Sequence, residues 1–415
     1  MSRPSVANSG RVKLFGHRPF LLYLGARTCT ELAIQMAVVA VGWHVYALTG
    51  SAFDLGMIGL VQFLPMAVLV FVAGHAADRY TRQHVMQLCQ LVEAGTAAFL
   101  AWGAFSGWLT VPQIFVAVAL FGIASAFESP AEAALLPNVA PEGMLQRATA
   151  VSTGGFQAAM ISGPAVGGVA YAISPALPFA MMAVFWFLAA ALNGAIKVRG
   201  AIKVRGAVAA KEPPTFEALF AGVKFVRSNP AILGTISLDL FAVLLGGATA
   251  LLPIYARDIL HTGPWGLGVL RAAPAAGALL MTVFLAHFPI GRRVGMRMFQ
   301  AVMIFGAATV VFALSRSVLL SLIALGVAGA ADTISVVIRI SLVQLATPDA
   351  MRGRVGAVNY LFINASNQLG EFESGMAAAL LGAMPAAVLG GLGTIVVALL
   401  WMRLFPALRD VERLE

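Results

Sequence analysis

Pro141-Glu142-Gly143-Met144, followed by Arg147-Ala148-Thr149-Ala150-Val151, returns 207 residues later as Pro348-Asp349-Ala350-Met351, followed by Arg354-Val355-Gly356-Ala357-Val358. The same offset lays Gly163 on Gly370 and Gly168 on Gly375. In a chain of 415 residues this offset is close to half the length, so the sequence reads as two parallel halves. Each copy stands just before a long apolar run, so the repeated unit is a polar turn leading into a helix. Chance similarity between two apolar stretches is the competing explanation, and it leaves the matched polar positions unexplained.

Outward from these turns the chain is apolar. Hydrophobic residues make up 60% and charged residues 11%, against about 25% charged in a soluble domain, and the mean hydropathy is +0.88. Such a chain cannot cover its surface with polar groups, so lipid is its expected solvent. A membrane-crossing helix needs roughly 20 apolar residues. Runs of that kind lie at 20–48, 53–74, 84–106, 111–135, 148–172, 177–196, 229–255, 265–288, 297–315, 317–346, 355–383 and 385–405. They are apolar all round, without the alternation of barrel strands. The expected fold is therefore an all-α membrane protein of twelve transmembrane helices in two six-helix bundles. Residues 1–196 form the first bundle, 197–228 a polar linker and 229–415 the second. Within the linker Gly194–Arg199 (GAIKVR) recurs as Gly200–Arg205, which reads as a local duplication in a tolerant segment.

Basic residues fall on one side of this plan: the N-terminal Arg3, Arg11, Lys13 and Arg18, then Arg79, Arg82, Arg147, the linker, Arg292, Arg293, Arg297, Arg352, Arg354 and Arg403. The other side has little beyond Arg257 and Arg316. The positive-inside rule then puts both termini in the cytoplasm of a bacterial-type inner membrane, which an even helix count requires. The net charge of +9 is accounted for by these loops and does not point to nucleic acid. The first apolar run is too long for a signal peptide. Cys29 and Cys89 lie inside apolar runs and suit neither a disulfide framework nor a zinc site.

Two motifs narrow the reading. Gly74-His75-Ala76-Ala77-Asp78-Arg79-Tyr80-Thr81-Arg82 occupies the turn after the second run. Gly74 permits close helix approach, and Asp78 suits the positive end of a neighbouring helix. In the fifth run, Ala159-Met160-Ile161-Ser162-Gly163-Pro164-Ala165-Val166-Gly167-Gly168 combines a ladder-breaking proline with small residues that bend and pack a helix. The first motif resembles motif A of the major facilitator superfamily. The resemblance implies that Gly74, Asp78, Arg79 and Arg82 form a cytoplasmic gate closing near Arg354. The second, with Gly163, Pro164, Gly167 and Gly168, resembles motif C of antiporter-type exporters, with Ala159 in place of the first glycine. Tyr46-Ala47-Leu48-Thr49-Gly50-Ser51-Ala52, Ser129-Pro130-Ala131 and Ala134-Leu135-Leu136-Pro137 resemble the branch that holds the enterobactin exporter. That branch handles siderophores, drugs and other cargo.

Charges inside membrane helices are costly, at about 2.5–3.5 kcal/mol on insertion scales, and are functional candidates by default. Arg27 and Glu31 share a face of the first run, and Glu128 and Glu132 a face of the fourth. Asp239 lies in the seventh, without an obvious partner, and Asp332 and Arg339 lie in the tenth. The resemblance implies that these four helices line a central cavity. Arg27, Glu31, Glu128, Asp239, Asp332, Arg339 and Glu371 are the candidates for proton coupling or cargo contact. Arg27–Glu31 is equally readable as a structural pair, and Glu132 as a solvated group. Glu371, at the repeat position of Pro164, and Glu373 lie in the eleventh run, Glu93 in the third and Arg271 in the eighth. Those helices are expected to face neighbours, with Arg271 a partner for one of the acids. Trp43, Phe63, Trp265 and Phe241 suit either a cargo pocket or lipid contact.

Neither a nucleotide-binding loop nor an HExxH-like ligand set occurs, so a membrane enzyme or receptor is disfavoured. No cofactor and no metal site are expected. The expectation is a monomeric, proton-coupled antiporter that exports a small amphipathic molecule. Its partners are that substrate, protons and the bilayer, with no nucleic acid. An importer or metal-ion exporter of the same fold is the alternative.

Overall fold

A computed structural model describes residues 14–196 and 216–413. The basic N-terminal Arg3, Arg11 and Lys13 and the second GAIKVR copy lie outside the described residues. Among the described residues all regular structure is helical. In order these are α1 (Arg18–Thr49), α2 (Ala52–Arg79), α3 (Arg82–Ser106), α4 (Val111–Val139), α5 (Leu145–Ile173), α6 (Ala176–Ala195), α7 (Phe216–Ser228), α8 (Pro230–Leu245), the single turn α9 (Leu252–Ile254), α10 (Gly263–His287), α11 (Val294–Leu314), α12 (Val318–Ala346), α13 (Asp349–Leu381), α14 (Ala383–Leu404) and α15 (Pro406–Arg409). Eleven helical segments here are long and apolar enough to cross a bilayer. The eleventh predicted run corresponds to α13, which is 33 residues long but carries Asn359, Asn364, Asn367, Gln368, Glu371 and Glu373. Large apolar side chains such as Phe105, Leu280 and Leu380 face outward, as in a protein whose solvent is hydrocarbon.

Helix ends follow local chemistry. Gly50 and Gly107 terminate α1 and α3 in the left-handed region, at φ 60° and 72°, which costs glycine nothing sterically. Thr110 and Gln113 form a capping box at the start of α4. The Asn229 side chain accepts from the Ala231 and Ile232 amides and starts α8. The predicted linker contains a helix, α7, packed on α13: a Cβ at Gly222 would stand 2.9 Å from the Arg354 carbonyl.

The predicted run 229–255 is not one helix. It stops at Leu245, breaks at Gly246-Gly247, and continues as a 3-10 turn over Ala248–Leu251, α9, and a π turn over Tyr255–Ile259. Two adjacent glycines cost roughly 1 kcal/mol each in a helix. Arg271 Nη1 donates to the Thr249 carbonyl at 2.8 Å and satisfies an acceptor within the interruption.

Helices α1–α6 pack mainly among themselves, as do α8–α14, and α5 with α10 and α2 with α13 join the two groups. At the glycines the joining contacts are backbone to backbone. A Cβ at Gly56 would stand 2.9 Å from the Gly375 Cα, and one at Gly168 would stand 3.1 Å from the Gly268 Cα. The 207-residue repeat is visible in this packing. Gly163 abuts Gln35 on α1 and Gly370 abuts Leu244 on α8, while Gly168 abuts α10 and Gly375 abuts α2. Equivalent glycines thus meet equivalent helices, as a pseudo-twofold relation requires. Tyr46 donates to Asp258 at the same end of the molecule. Arg257 Nη1 donates to the Tyr46 carbonyl at 3.0 Å. The ends of α2, α5, α10 and α13 are in contact here, opposite the basic loops.

Substituting Gly168→Leu should lower the thermal midpoint of the purified protein, because overpacking costs about 1–3 kcal/mol and the backbone of α10 cannot recede. Gly154→Ala, whose Cβ would meet nothing within 4 Å, should leave the midpoint unchanged or raise it. Equal behaviour of the two variants in a melting assay would remove the close-approach explanation.

Candidate functional site: a central cavity between the two groups of helices

A cavity of about 230 Å³ lies between the two groups. Helix α1 lines it with residues 34–42, α4 with Val118, Phe121 and Ser125, and the broken segment after α8 with Thr249, Ala250 and Pro253. Its polar wall is Gln62 on α2, Glu93 on α3, Arg271 on α10, and Gln368 and Glu371 on α13. Phe121 and Trp186 stack against each other on one side, centroids 5.0 Å apart.

Of the acids and bases expected here, Glu371 is on the wall, and Arg27, Glu31, Glu128, Asp239, Asp332 and Arg339 are not. Depth explains this. Arg27 and Glu31 precede the lining part of α1 by one to two turns, and Glu128 lies about a turn beyond Ser125 on α4. Asp239 is ten residues before Thr249. Glu371 pairs with Arg271 at 3.4 Å, and its carboxylate lies against Gly59 of α2, where a Cβ would stand 3.2 Å from Oε2. The charge pair is therefore on the line where α2 meets α13.

The remaining charges are paired differently from the expectation. Arg27 does not pair with Glu31. Arg27 Nε meets Glu132 at 2.7 Å, and Arg27 Nη1 donates to Ser152 at 2.8 Å. Glu31 instead accepts from Gln35 at 2.7 Å. Glu132, read as solvated, is thus an ion-pair partner with its side chain 25% exposed. Asp239, read as unpartnered, forms a buried pair with Arg339. The tertiary register decides these pairs: the facing helix presents Glu132 to Arg27 and Arg339 to Asp239. The repeat offset carries Glu132 onto Arg339, so both groups tie their first long helix to their fourth, with the charges exchanged. Glu128 accepts from Gln90 at 2.7 Å, Gln90 also donates to Thr30 at 3.2 Å, and Asn193 donates to Gln90 at 2.9 Å. Asp332 is half-buried on α12.

Gly74, Asp78 and Arg79 lie in the last turns of α2, and their side chains are outside the described residues. Arg82 opens α3, and Arg354 lies near the start of α13. Gly163 and Gly167 seat α5 on α1 at Gln35 and Met36, Gly168 seats it on α10, and Pro164 offers its carbonyl to the Gly268 face.

Glu93 and Arg271 were expected to face neighbouring helices, and both are on the cavity wall. The aromatic wall is Phe121 and Trp186 rather than Trp43, Phe63, Trp265 or Phe241. For Glu93 the available signal was its isolation, an acid in an apolar run with no cation nearby in sequence. No comparable signal marks Trp186. His44 bonds locally, with Nδ1 2.6 Å from the Tyr171 hydroxyl.

Comparison with known proteins agrees with this architecture. The family model described as transmembrane secretion effector matches residues 16–414. The enterobactin exporter EntS of Citrobacter koseri is 26% identical over 401 residues, 95% of this chain and 93% of that protein. The multidrug efflux pump Tap of Mycobacterium tuberculosis is 25% identical over 413 residues, 95% of each. Macrolide efflux protein A of Streptococcus pyogenes is 26% identical over 268 residues, and the match spans 62% of this chain and 63% of that protein's length. Among solved structures, a bacterial homologue of the human lysosomal transporter Spinster, in an inward-facing unoccupied conformation, superposes with a TM-score of 0.72 at 13% identity. It covers 95% of this chain and 96% of its own. The nucleoside transporter NupG gives 0.72 at 14% identity, over 93% of this chain and 99% of its own. The paired helical repeats, the cavity between them and the match across nearly the whole chain have one reading: this multi-pass membrane protein belongs to the transmembrane secretion effector family of major facilitator transporters.

Proposed function

We propose that the chain is a proton-coupled antiporter that exports a small amphipathic molecule from a bacterial cytoplasm. It works by alternating access between bundles 1–196 and 229–415. Three relatives named for efflux or export support the direction, and the family model is that of secretion effectors. The motif C segment supports antiport. With both termini cytoplasmic, as the basic loops imply, the end where the two groups touch is the outer one and cargo enters the cavity from the cytoplasm. The turn after α2, with Gly74, Asp78, Arg79 and Arg82, then forms with Arg354 the gate that closes the inner end in the opposite state. A single chain supplies both bundles, so a monomer suffices.

The observation that carries the coupling is the Arg271–Glu371 pair at 3.4 Å on the cavity wall, with Glu371 lying against α2. In a low-dielectric site an ion pair is held strongly only while both partners are charged. A proton arriving on Glu371 from the outer side abolishes the attraction and frees Arg271. It also changes the group that α2 meets where the bundles join. Release of that proton to the inner side restores the pair. The pair thereby links a proton's position to the geometry of the joint, which is what exchange of proton for cargo requires.

In proteoliposomes with an imposed pH gradient, with a macrolide and enterobactin as trial cargoes, the protein should drive uphill movement of at least one. Glu371→Gln should retain cargo binding and lose gradient-driven movement by about tenfold or more. Gradient-driven movement equal to that of the parent protein would exclude Glu371 from coupling. The Asp239–Arg339 pair has a structural role in this reading. Asp239→Asn leaves a buried guanidinium unpaired, a change that costs about 3–5 kcal/mol. Its expected signature is a lowered melting midpoint and poor recovery of folded protein on size-exclusion chromatography.

A further inference from the structure

Three side chains on the cavity wall each have a polar atom that is fully buried and has no hydrogen-bond partner among the described residues: Glu93 Oε2, Gln368 Oε1 and Trp186 Nε1. Buried polar atoms are satisfied in the great majority of cases, and an orphan is a group whose partner comes from elsewhere. These three come from α3, α13 and α6, so they belong to both groups of helices and converge on one space. Glu93 is 2% exposed and Trp186 1%, so bulk solvent does not satisfy them.

Charge and polarity give the chemistry of the missing partner. Of the three ionisable side chains on the wall, Arg271 and Glu371 pair with each other, leaving Glu93 as the one with no cation paired to it. Two of the orphans are acceptors, a carboxylate oxygen and an amide oxygen, and one is a donor. The stacked Phe121 and Trp186 rings add aromatic faces, which attract cations. An anion has no place against Glu93. A neutral apolar ligand leaves all three groups unsatisfied, at a cost for each.

We infer that this cavity is a binding site for an organic ammonium ion. Glu93 is its counter-ion, the Gln368 amide oxygen a second acceptor, and the Trp186 indole N–H a donor to an acceptor elsewhere on the same ligand. This assignment rests on the transport reading above and names its cargo class. It adds that Glu93, rather than the Arg271–Glu371 pair, selects the cargo. A ligand held by Glu93 and Gln368 also bridges the two groups of helices.

The test is equilibrium binding to the detergent-purified full chain, followed by thermal shift and isothermal calorimetry, with three matched probes: 3-phenylpropylammonium, 3-phenylpropanol and 4-phenylbutanoate. The ammonium probe should bind roughly tenfold or more tightly than the alcohol, since a charge-assisted contact is worth at least that factor, and the anion should bind weakest. Glu93→Gln should erase the advantage of the cation while changing alcohol binding little. Glu93→Asp, which keeps the charge, should preserve the order of the probes and stands in if the glutamine variant does not fold. Binding of the anion or alcohol as tightly as the cation by the parent protein overturns the assignment, as does a cation preference that survives Glu93→Gln. No gradient is used, so absence of proton-driven transport would sink the antiport reading while leaving this result standing. A failed cation preference would leave the antiport reading intact.

Discussion

Helices immersed in hydrocarbon gain little by hiding apolar side chains from one another, because the lipid is as apolar as they are. What holds them is close approach of backbones and the dispersion contacts that follow. In this protein that constraint is met at the joint by glycine facing glycine: Gly56 on Gly375 and Gly168 on Gly268. The same device seats α5 on α1 through Gly163 and Gly167, and α13 on α8 through Gly370. The repeat of the sequence and the symmetry of the packing are therefore one fact. A helix that must touch its own bundle on one face and the opposite bundle on another needs small residues on both, and α5 and α13 both carry them.

Charges follow a complementary rule. Three ion pairs, Arg27–Glu132, Asp239–Arg339 and Arg271–Glu371, each join helices of one group. Across the joint, hydrogen bonds run from Tyr46 to Asp258, from Arg257 to the Tyr46 carbonyl, and from Gln157 to the Ala275 carbonyl at 3.0 Å. Separating two charges in a low dielectric is expensive, whereas exchanging a hydrogen bond costs about 1 kcal/mol net. On the alternating-access proposal, links of this kind let the groups part at the end where they touch without baring the charges of these three pairs.

Much of this is legible in the sequence. Apart from 229–255, the apolar runs match the helices to within about six residues, since run length and hydropathy are direct consequences of bilayer thickness. The half-chain repeat anticipated which glycines would be equivalent. Three things were hidden. Gly246-Gly247 could be read as two small packing residues, and only the tertiary setting, with Arg271 satisfying the Thr249 carbonyl, shows that the helix stops there. Partner choice was hidden because it depends on which helix faces which: Arg27 finds Glu132, over 100 residues away in sequence, rather than Glu31 at one turn. Depth was the third. Helix membership puts the acids of α1, α4 and α8 at the centre, but the cavity lies about a turn or more away from them: beyond the acids on α1 and α8, and before Glu128 on α4. The wall instead recruits Glu93 and Arg271 from helices expected to face neighbours.

The interruption after α8 makes the two groups mechanically unequal. The first is built around α1, an unbroken rod of 32 residues, while its counterpart has a joint in the corresponding position. Thr249, Ala250 and Pro253, which follow that joint, are also cavity wall. One side of the cavity is therefore a continuous helix and the other an interrupted one, an asymmetry of the cavity wall that the half-chain repeat of the sequence does not carry.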